Sequence, residues 1–487
     1  MLTIIVFLPL LGAIVCALMP KDRPTWPRWI AAAVTFVDVA LVAWVLATFT
    51  PGGGSQFAEK FAWVPLVHIN YSLAVDGLSL PMLVLSALLS FLAVIASWNI
   101  DKKPNFYFAM LLLLQVGMNG IFLALDFVLF YVFWELVLVP MYFLIAQWGG
   151  ERREYAAIKY FLYTLLGSVF MLIGIVILYV KFNSFDIVYL ASQGPGLPAG
   201  VQWWVFLMFF LGFAVKVPMW PLHTWLPDAH VEAPTAASVL LAGVLLKMGT
   251  YGFLRISLPI LPGAFHQWQG FITVLAVISI IYGAAVAFAQ TDLKKLVAYS
   301  SVSHMGFAML GIAAGTAAGL DGAVAVMFSH GLVTGMLFFM VGMIYERSHT
   351  RQISEISGLA GQMPVIAGLL AFSAFASMGL PALSGFIGEF LSLLGAWSAW
   401  AGSPLQWVVG IGAFGVLLGA AYNLWMVQRV VLGQPSYIIA DCPDASSREL
   451  AVVAPLVILI IAVGVNWQLL LRYVDPAVQV LVKAVGV

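Results

Sequence analysis

Four ionisable residues stand deep inside otherwise apolar stretches of this sequence: Glu135, Lys216, Lys247 and Glu389. On insertion scales a charge at the bilayer centre costs roughly 2.5 to 3.5 kcal/mol, so four cost on the order of 10 kcal/mol. Such a cost needs a compensating role, and carboxylates set against amines inside a membrane make a path for protons or cations. Two histidines fall near the same depth, His304 in DLKKLVAYSSVSHMGF (292–307) and His330 in FSHGLVTGMLFFMVGMIYER (328–347). A neutral imidazole accepts on one nitrogen and donates from the other, which suits a proton relay. Ser303, Ser329 and Thr334 lie near enough in sequence to help hold a water chain.

Each residue also has a plainer reading. Glu135 is either a lone carboxylate facing a neighbouring subunit or the partner of Lys216, since an unpaired buried carboxylate is driven to neutrality. A membrane lysine ordinarily snorkels, but Lys247 sits halfway along its apolar run, where reaching an interface is hard. The histidines are either satisfied packing residues or relay members.

The elements that must position these residues are membrane helices. The chain of 487 residues is 63% hydrophobic and 9% charged, a composition unlike that of a soluble domain. Apolar runs long enough to cross a hydrocarbon core of about 30 Å occur near 2–19, 29–49, 79–98, 105–124, 126–147, 157–180, 202–222, 235–256, 268–290, 296–316, 321–345, 364–396, 407–431 and 451–472. Fourteen spans with the N-terminus outside put fourteen of the 21 Lys and Arg residues on the inward side, Lys21, Arg152, Lys294 and Arg351 among them. Five fall outside, and Lys216 and Lys247 stay in the membrane. This asymmetry obeys the positive-inside rule and places both termini outside. The first run has no basic n-region or cleavage site and is expected to be retained.

The connection 50–78 alternates Ile69, Tyr71, Leu73 and Val75 with Asn70, Ser72, Ala74 and Asp76, the period of a short extracytoplasmic β-hairpin. Two runs are interrupted: 202–222 by Pro218 and Pro221 after Lys216, and 364–396 by Gly379-Leu380-Pro381 before Glu389. Proline removes a backbone donor and clashes with the preceding turn, and discontinuous helices in corresponding places point to inverted repeats. Lys216 precedes its break and Glu389 follows its own, as expected if the second half is inserted upside down. The expected organisation is 1–104 (N-terminal helices and hairpin), 105–256 and 268–431 (the repeats, one proton half-channel each) and 432–487 (a C-terminal helix).

His223, Asp228, His230 and Glu232 fall in an expected inward loop bounded by Pro221, Pro227 and Pro234. Loop-fixing hydrogen bonds suit them better than a metal. Asp38, mid-span and outside the repeats, is expected at a subunit contact. GIGAFG (410–415) matches a dinucleotide fingerprint by letters only, because it follows no strand, and packs helices instead. Cys16 and Cys442 are too few and too distant for a disulfide framework, an iron–sulfur cluster or a zinc site. The zero net charge gives no footprint for nucleic acid. No NADH, flavin, haem or metal site is expected in this chain.

FWELVLVPMYF (133–143), AVKVPMWPLHTWLPDAH (214–230), LLKMGTYG (245–252) and 292–307 together resemble the antiporter-like membrane subunits of proton-pumping NADH:quinone oxidoreductase, respiratory complex I. The resemblance covers nearly the whole chain and is weakest in the first hundred and last fifty residues. These motifs are shared with Mrp-type cation/proton antiporter and membrane hydrogenase subunits. GLPALSGFIGEF (379–390) narrows the resemblance, because the last channel position is usually lysine in those relatives and glutamate in the M-type subunit, the homologue of mitochondrial subunit 4. The long lateral helix of an L-type subunit is also missing.

The resemblance implies a multi-pass subunit of the bacterial inner membrane. Glu135 would bias the charge of Lys216, which would pass its proton to Lys247, and His330 with His304 would carry it to Glu389. Partners would be other membrane subunits, including related antiporter-like chains, with flavin, iron–sulfur clusters and quinone all held elsewhere. Quinone reduction in those partners would drive transport, and this chain would perform no redox step. Alternatives are a subunit of a sodium/proton antiporter, of a membrane hydrogenase or of a ferredoxin-driven photosynthetic relative, and a non-conducting scaffold.

Overall fold

The computed structural model describes residues 1–20 and 23–486, so Lys21 lies outside the described residues. A helix occupies each apolar run. Among the described residues twelve helices are long and apolar enough to cross a membrane, and Leu2–Leu18 and Pro364–Ser377 are shorter apolar helices. The expected hairpin is present: Gln56–Val64 pairs antiparallel with Ile69–Val75. It marks one face of the molecule, the hairpin face. Lys60 ties it to Asp186 at 2.6 Å, and Asp76 at its end pairs with Arg255 at 2.6 Å.

Two helix starts are built alike. Asp126 caps Phe127–Leu136 by accepting from Val128 and Leu129 backbone amides, and Asp292 caps Leu293–Ala314 by accepting from Lys294 and Lys295. Side-chain oxygens there satisfy amides that a helix N-terminus leaves free. Each aspartate also forms an isolated antiparallel bridge, Asp126 with Asp186 and Asp292 with Gln352. The first bridge lies at the hairpin face and the second at the opposite face.

The interruptions fall where proline puts them. The helix Ala199–Lys216 stops at Lys216, the chain turns through 217–224, and Trp225–Glu232 resumes as a short helix. The loop expected around His223, Asp228, His230 and Glu232 is therefore corrected: three of these four lie in a helix, and both histidines are buried. Pro227 sits in the first turn, where its missing amide hydrogen costs nothing, and Pro234 follows the end. The run 364–396 divides into Pro364–Ser377 and Ser384–Ala399. Pro140 adds a third discontinuity, splitting Phe127–Leu136 from Leu138–Trp148.

The expected run 451–472 also proves to be parts of two helices. Ser447–Val465 ends at Asn466, and Gln468–Val485 follows as an amphipathic helix. Leu470, Val474, Val478, Leu481 and Val485 are buried, while Arg472, Gln479 and Lys483 are exposed.

Three buried helices, Thr235–Ile260, Leu293–Ala314 and Ala317–Ser348, form the core. Ser384–Ala399 packs against Ala317–Ser348 backbone to backbone: a Cβ on Gly388 would lie 2.5 Å from the Val326 nitrogen, and one on Gly395 2.3 Å from the Gly319 nitrogen. Small residues permit this approach in a membrane, and it carries Glu389 into the core.

Candidate functional site

Lys247 is fully buried in Thr235–Ile260. Two π-helical turns, Leu241–Leu245 and Phe253–Ser257, flank it. A π turn displaces carbonyls from the α-helical ladder, and the Lys247 ammonium donates to the Ala242 carbonyl. The same Nζ lies 2.6 Å from His330 Nδ1. An ammonium has only donors to offer, so Nδ1 is the acceptor when Lys247 is charged.

From His330 the polar line continues. Its ring centroid is 5.6 Å from that of His304, and His304 Nδ1 is 2.7 Å from Glu389 Oε1. His304 Nε2 meets Ser377 Oγ at 3.2 Å and Tyr422 Oη at 3.1 Å. Both hydroxyls can donate or accept, so this nitrogen keeps a partner whether or not it carries hydrogen. A cavity of about 20 Å³ touches His304, Ser329, His330, Thr334, Ser377 and Glu389, room for one water molecule. His330 Nε2, which has no protein partner, is the atom such a water would serve. The geometry thus aligns Lys247, His330, His304 and Glu389.

The expected contact between Glu135 and Lys216 is not made, and this corrects the sequence reading. Among the described residues no salt bridge joins them. The buried Lys216 ammonium has no hydrogen-bond partner and stands 5.8 Å from the Trp134 ring centroid and 5.6 Å from that of Tyr160. These distances are those of cation–π contacts. Glu135 closes the half-helix that ends before Pro140, is partly exposed, and has Oε1 without a partner. The proline break ends the helix just after Glu135, and aromatic rings stand beside Lys216.

Two further residues emerge from the structure alone. His230 is fully buried, stacks on Phe338 at 4.6 Å, has both ring nitrogens unpartnered, and counts Lys294 and Lys247 as its charged neighbours. Tyr422 reaches His304 from the helix Leu405–Met426. His230 was visible as a histidine between prolines, but its depth was not; Tyr422 gives no signal in an apolar helix. The neighbours of His230 disperse: Asp228 pairs with Lys159 at 2.6 Å, Glu232 accepts from the Arg152 backbone amide at 3.0 Å, and His223 packs on Tyr282.

Asp38 is not at a surface. It is fully buried, and its Oδ2 accepts from Gln115 at 2.7 Å and Asn119 at 3.0 Å. The expected subunit contact is replaced by an amide-lined internal site among the N-terminal helices.

The family described as "NADH:quinone oxidoreductase/Mrp antiporter, TM" matches residues 124–419, and "NADH-ubiquinone oxidoreductase chain 4, amino terminus" matches 1–124. NADH-quinone oxidoreductase subunit M of Rhodobacter capsulatus is 44% identical over 99% of this chain and 96% of its own length. The chain belongs to the M-type, or chain 4, family. NAD(P)H-quinone oxidoreductase chain 4 1 of a Synechococcus strain is 42% identical over 95% of this chain and 89% of its own. A chain of respiratory complex I from Thermus thermophilus superposes over the full length of both with a TM-score of 0.91 at 32% identity. A chain of the Mrp complex from Dietzia sp. has a TM-score of 0.87 at 24% identity, covering 99% and 98%, and shares the fold. Membership in the M-type family agrees with the resemblance drawn from the sequence.

Proposed function

We propose that this chain is a proton-translocating membrane subunit of an NADH:quinone oxidoreductase complex. The observation that carries the reading is the buried alignment of Lys247, His330, His304 and Glu389, with contacts of 2.6 Å at one end and 2.7 Å at the other. Ammonium and imidazole carry protons and do not ligate sodium, which favours a proton over a cation. Lys247 donates to His330 Nδ1, the water-sized space passes the proton between the imidazoles, and His304 delivers it to Glu389. Lys216 in its aromatic surroundings supplies Lys247, and partly exposed Glu135 sets the charge of that end when the two approach. The matched aspartate bridges on opposite faces support division into inverted repeats at 105–256 and 268–431. Quinone reduction in partner subunits, which would hold flavin, iron–sulfur clusters and quinone, supplies the driving force. The positive-inside asymmetry supports an inner-membrane orientation with both termini and the hairpin on the outer side.

The test is Lys247→Ala in the assembled complex, with proton translocation measured in membrane vesicles. Severe loss is expected, and normal translocation would establish a scaffold instead.

A further inference from the structure

One buried carboxyl is left without a task. Asp321 lies in Ala317–Ser348, the helix that carries His330, but nine residues, or about 13 Å, nearer the hairpin face. It is 8% exposed, and Oδ1 has no protein donor. The charged group that acts on it is the carboxyl of Asp475, on the helix packed against its own. Asp475 belongs to the amphipathic helix Gln468–Val485, is partly exposed, and accepts from Gln479 Nε2 at 3.0 Å. Two adjoining carboxyls repel when both are ionised, and one proton held between them relieves that repulsion.

A fully buried hydroxyl lies on the helix that carries Glu389. Ser392 follows Glu389 by one helical turn towards the hairpin face, and its Oγ has no partner. It lies against Gly322, the neighbour of Asp321 in sequence: a Cβ there would come within 2.8 Å of Ser392 Oγ. We propose that Asp321 and Asp475 form the proton-release site at the hairpin face, receiving protons from Glu389 by way of Ser392. An O–H bond breaks at the Glu389 carboxylic acid and one forms at the carboxyl pair, with Ser392 giving up its hydrogen as it accepts another. The pair then releases a proton to water at its exposed edge, and no electrons move.

This inference rests on the proton path proposed above, so Lys247→Ala accompanies its test. The measurement is proton translocation by the intact complex in vesicles, with Asp321→Asn, Asp475→Asn and the double variant at matched assembly. Asparagine keeps the shape and removes the repulsion, so a merely structural role would leave translocation unchanged. We expect each single variant to lower it roughly tenfold or more, Asp475→Glu to restore it, and the double variant to be no worse than the weaker single one. Normal translocation by both single variants, where Lys247→Ala abolishes it, overturns the release site and leaves the path standing. Additive losses overturn the shared proton. If Asp321→Asn does not assemble, Asp475→Asn on the surface helix decides alone.

Discussion

His304 holds Glu389 with one ring nitrogen, at 2.7 Å, while Ser377 and Tyr422 share the other at 3.2 and 3.1 Å. Lys247 meets the line through His330 and also donates to the Ala242 carbonyl. The carboxylate at the end of the line is therefore addressed through an imidazole whose far side is already solvated by hydroxyls.

Glu389→Gln should impair translocation more than Glu389→Asp, because glutamine cannot take up a proton from His304 while aspartate only lengthens the contact. Glu389→Lys keeps a titratable group and should retain part of the activity. Translocation in vesicles at matched assembly measures this, and full pumping by the glutamine variant would remove Glu389 from the path.

Tyr422→Phe removes one of two hydroxyls at His304 Nε2. One neutral hydrogen bond is worth about 1 kcal/mol, or roughly fivefold, so a moderate loss is expected. Combining it with Ser377→Ala should cost more than the two single losses together, because Nε2 is then left bare. Additivity in that double-mutant cycle would show that the hydroxyls act independently.

Glu135→Ala should cut translocation severely without altering assembly. Since Lys216 faces Trp134 and Tyr160, its coupling to Glu135 in the resting structure should be small. A thermal-stability cycle pairing Lys216→Met with Trp134→Leu should give about 0.5–2 kcal/mol, against near zero for Lys216→Met with Glu135→Gln. The reverse ranking would restore the direct ion pair.

Arg255→Ala should loosen the hairpin. Asp76 would lose the guanidinium 2.6 Å away, and stranding one partner of a buried pair costs about 3–5 kcal/mol. Faster proteolysis within 50–78 and a lower unfolding temperature are the expected results; an unchanged cleavage rate would show that Lys60 and Asp186 suffice.

Purified alone, the chain should not translocate protons; gently solubilised samples should contain further membrane subunits by mass spectrometry. Exposed apolar side chains such as Trp407, Leu417 and Ile458 suit lipid or neighbouring helices. Transport by the isolated polypeptide would contradict this.

The apolar helices and the breaks after Lys216 and before Glu389 were legible because hydrophobic run length and proline act locally, whereas the breaks near Val137 and Asn466 were not read. Lys247, His330 and Glu389 stood out because charged and imidazole groups are rare at membrane depth. What stayed hidden depends on contacts between distant segments. His304, rather than His330, meets Glu389 although Ser384–Ala399 packs on the helices of both, and no spacing rule encodes that choice. Glu135 and Lys216 were paired on charge alone, whereas the rings of Trp134 and Tyr160 stand beside the ammonium. Asp38 was assigned to a subunit contact because it lies outside the repeats, while its partners proved to be internal neutral amides.

The bridges at Asp126/Asp186 and Asp292/Gln352 are written in main-chain atoms. The capping aspartates are demanded by their side chains, and so is Asp186, which caps Ile187–Gln193 and holds Lys60, whereas Gln352 joins its bridge through main-chain atoms. A latch of that kind tolerates mutational drift at the position opposite its second cap. Geometry of this sort can be inherited long after the letters that first specified it have diverged.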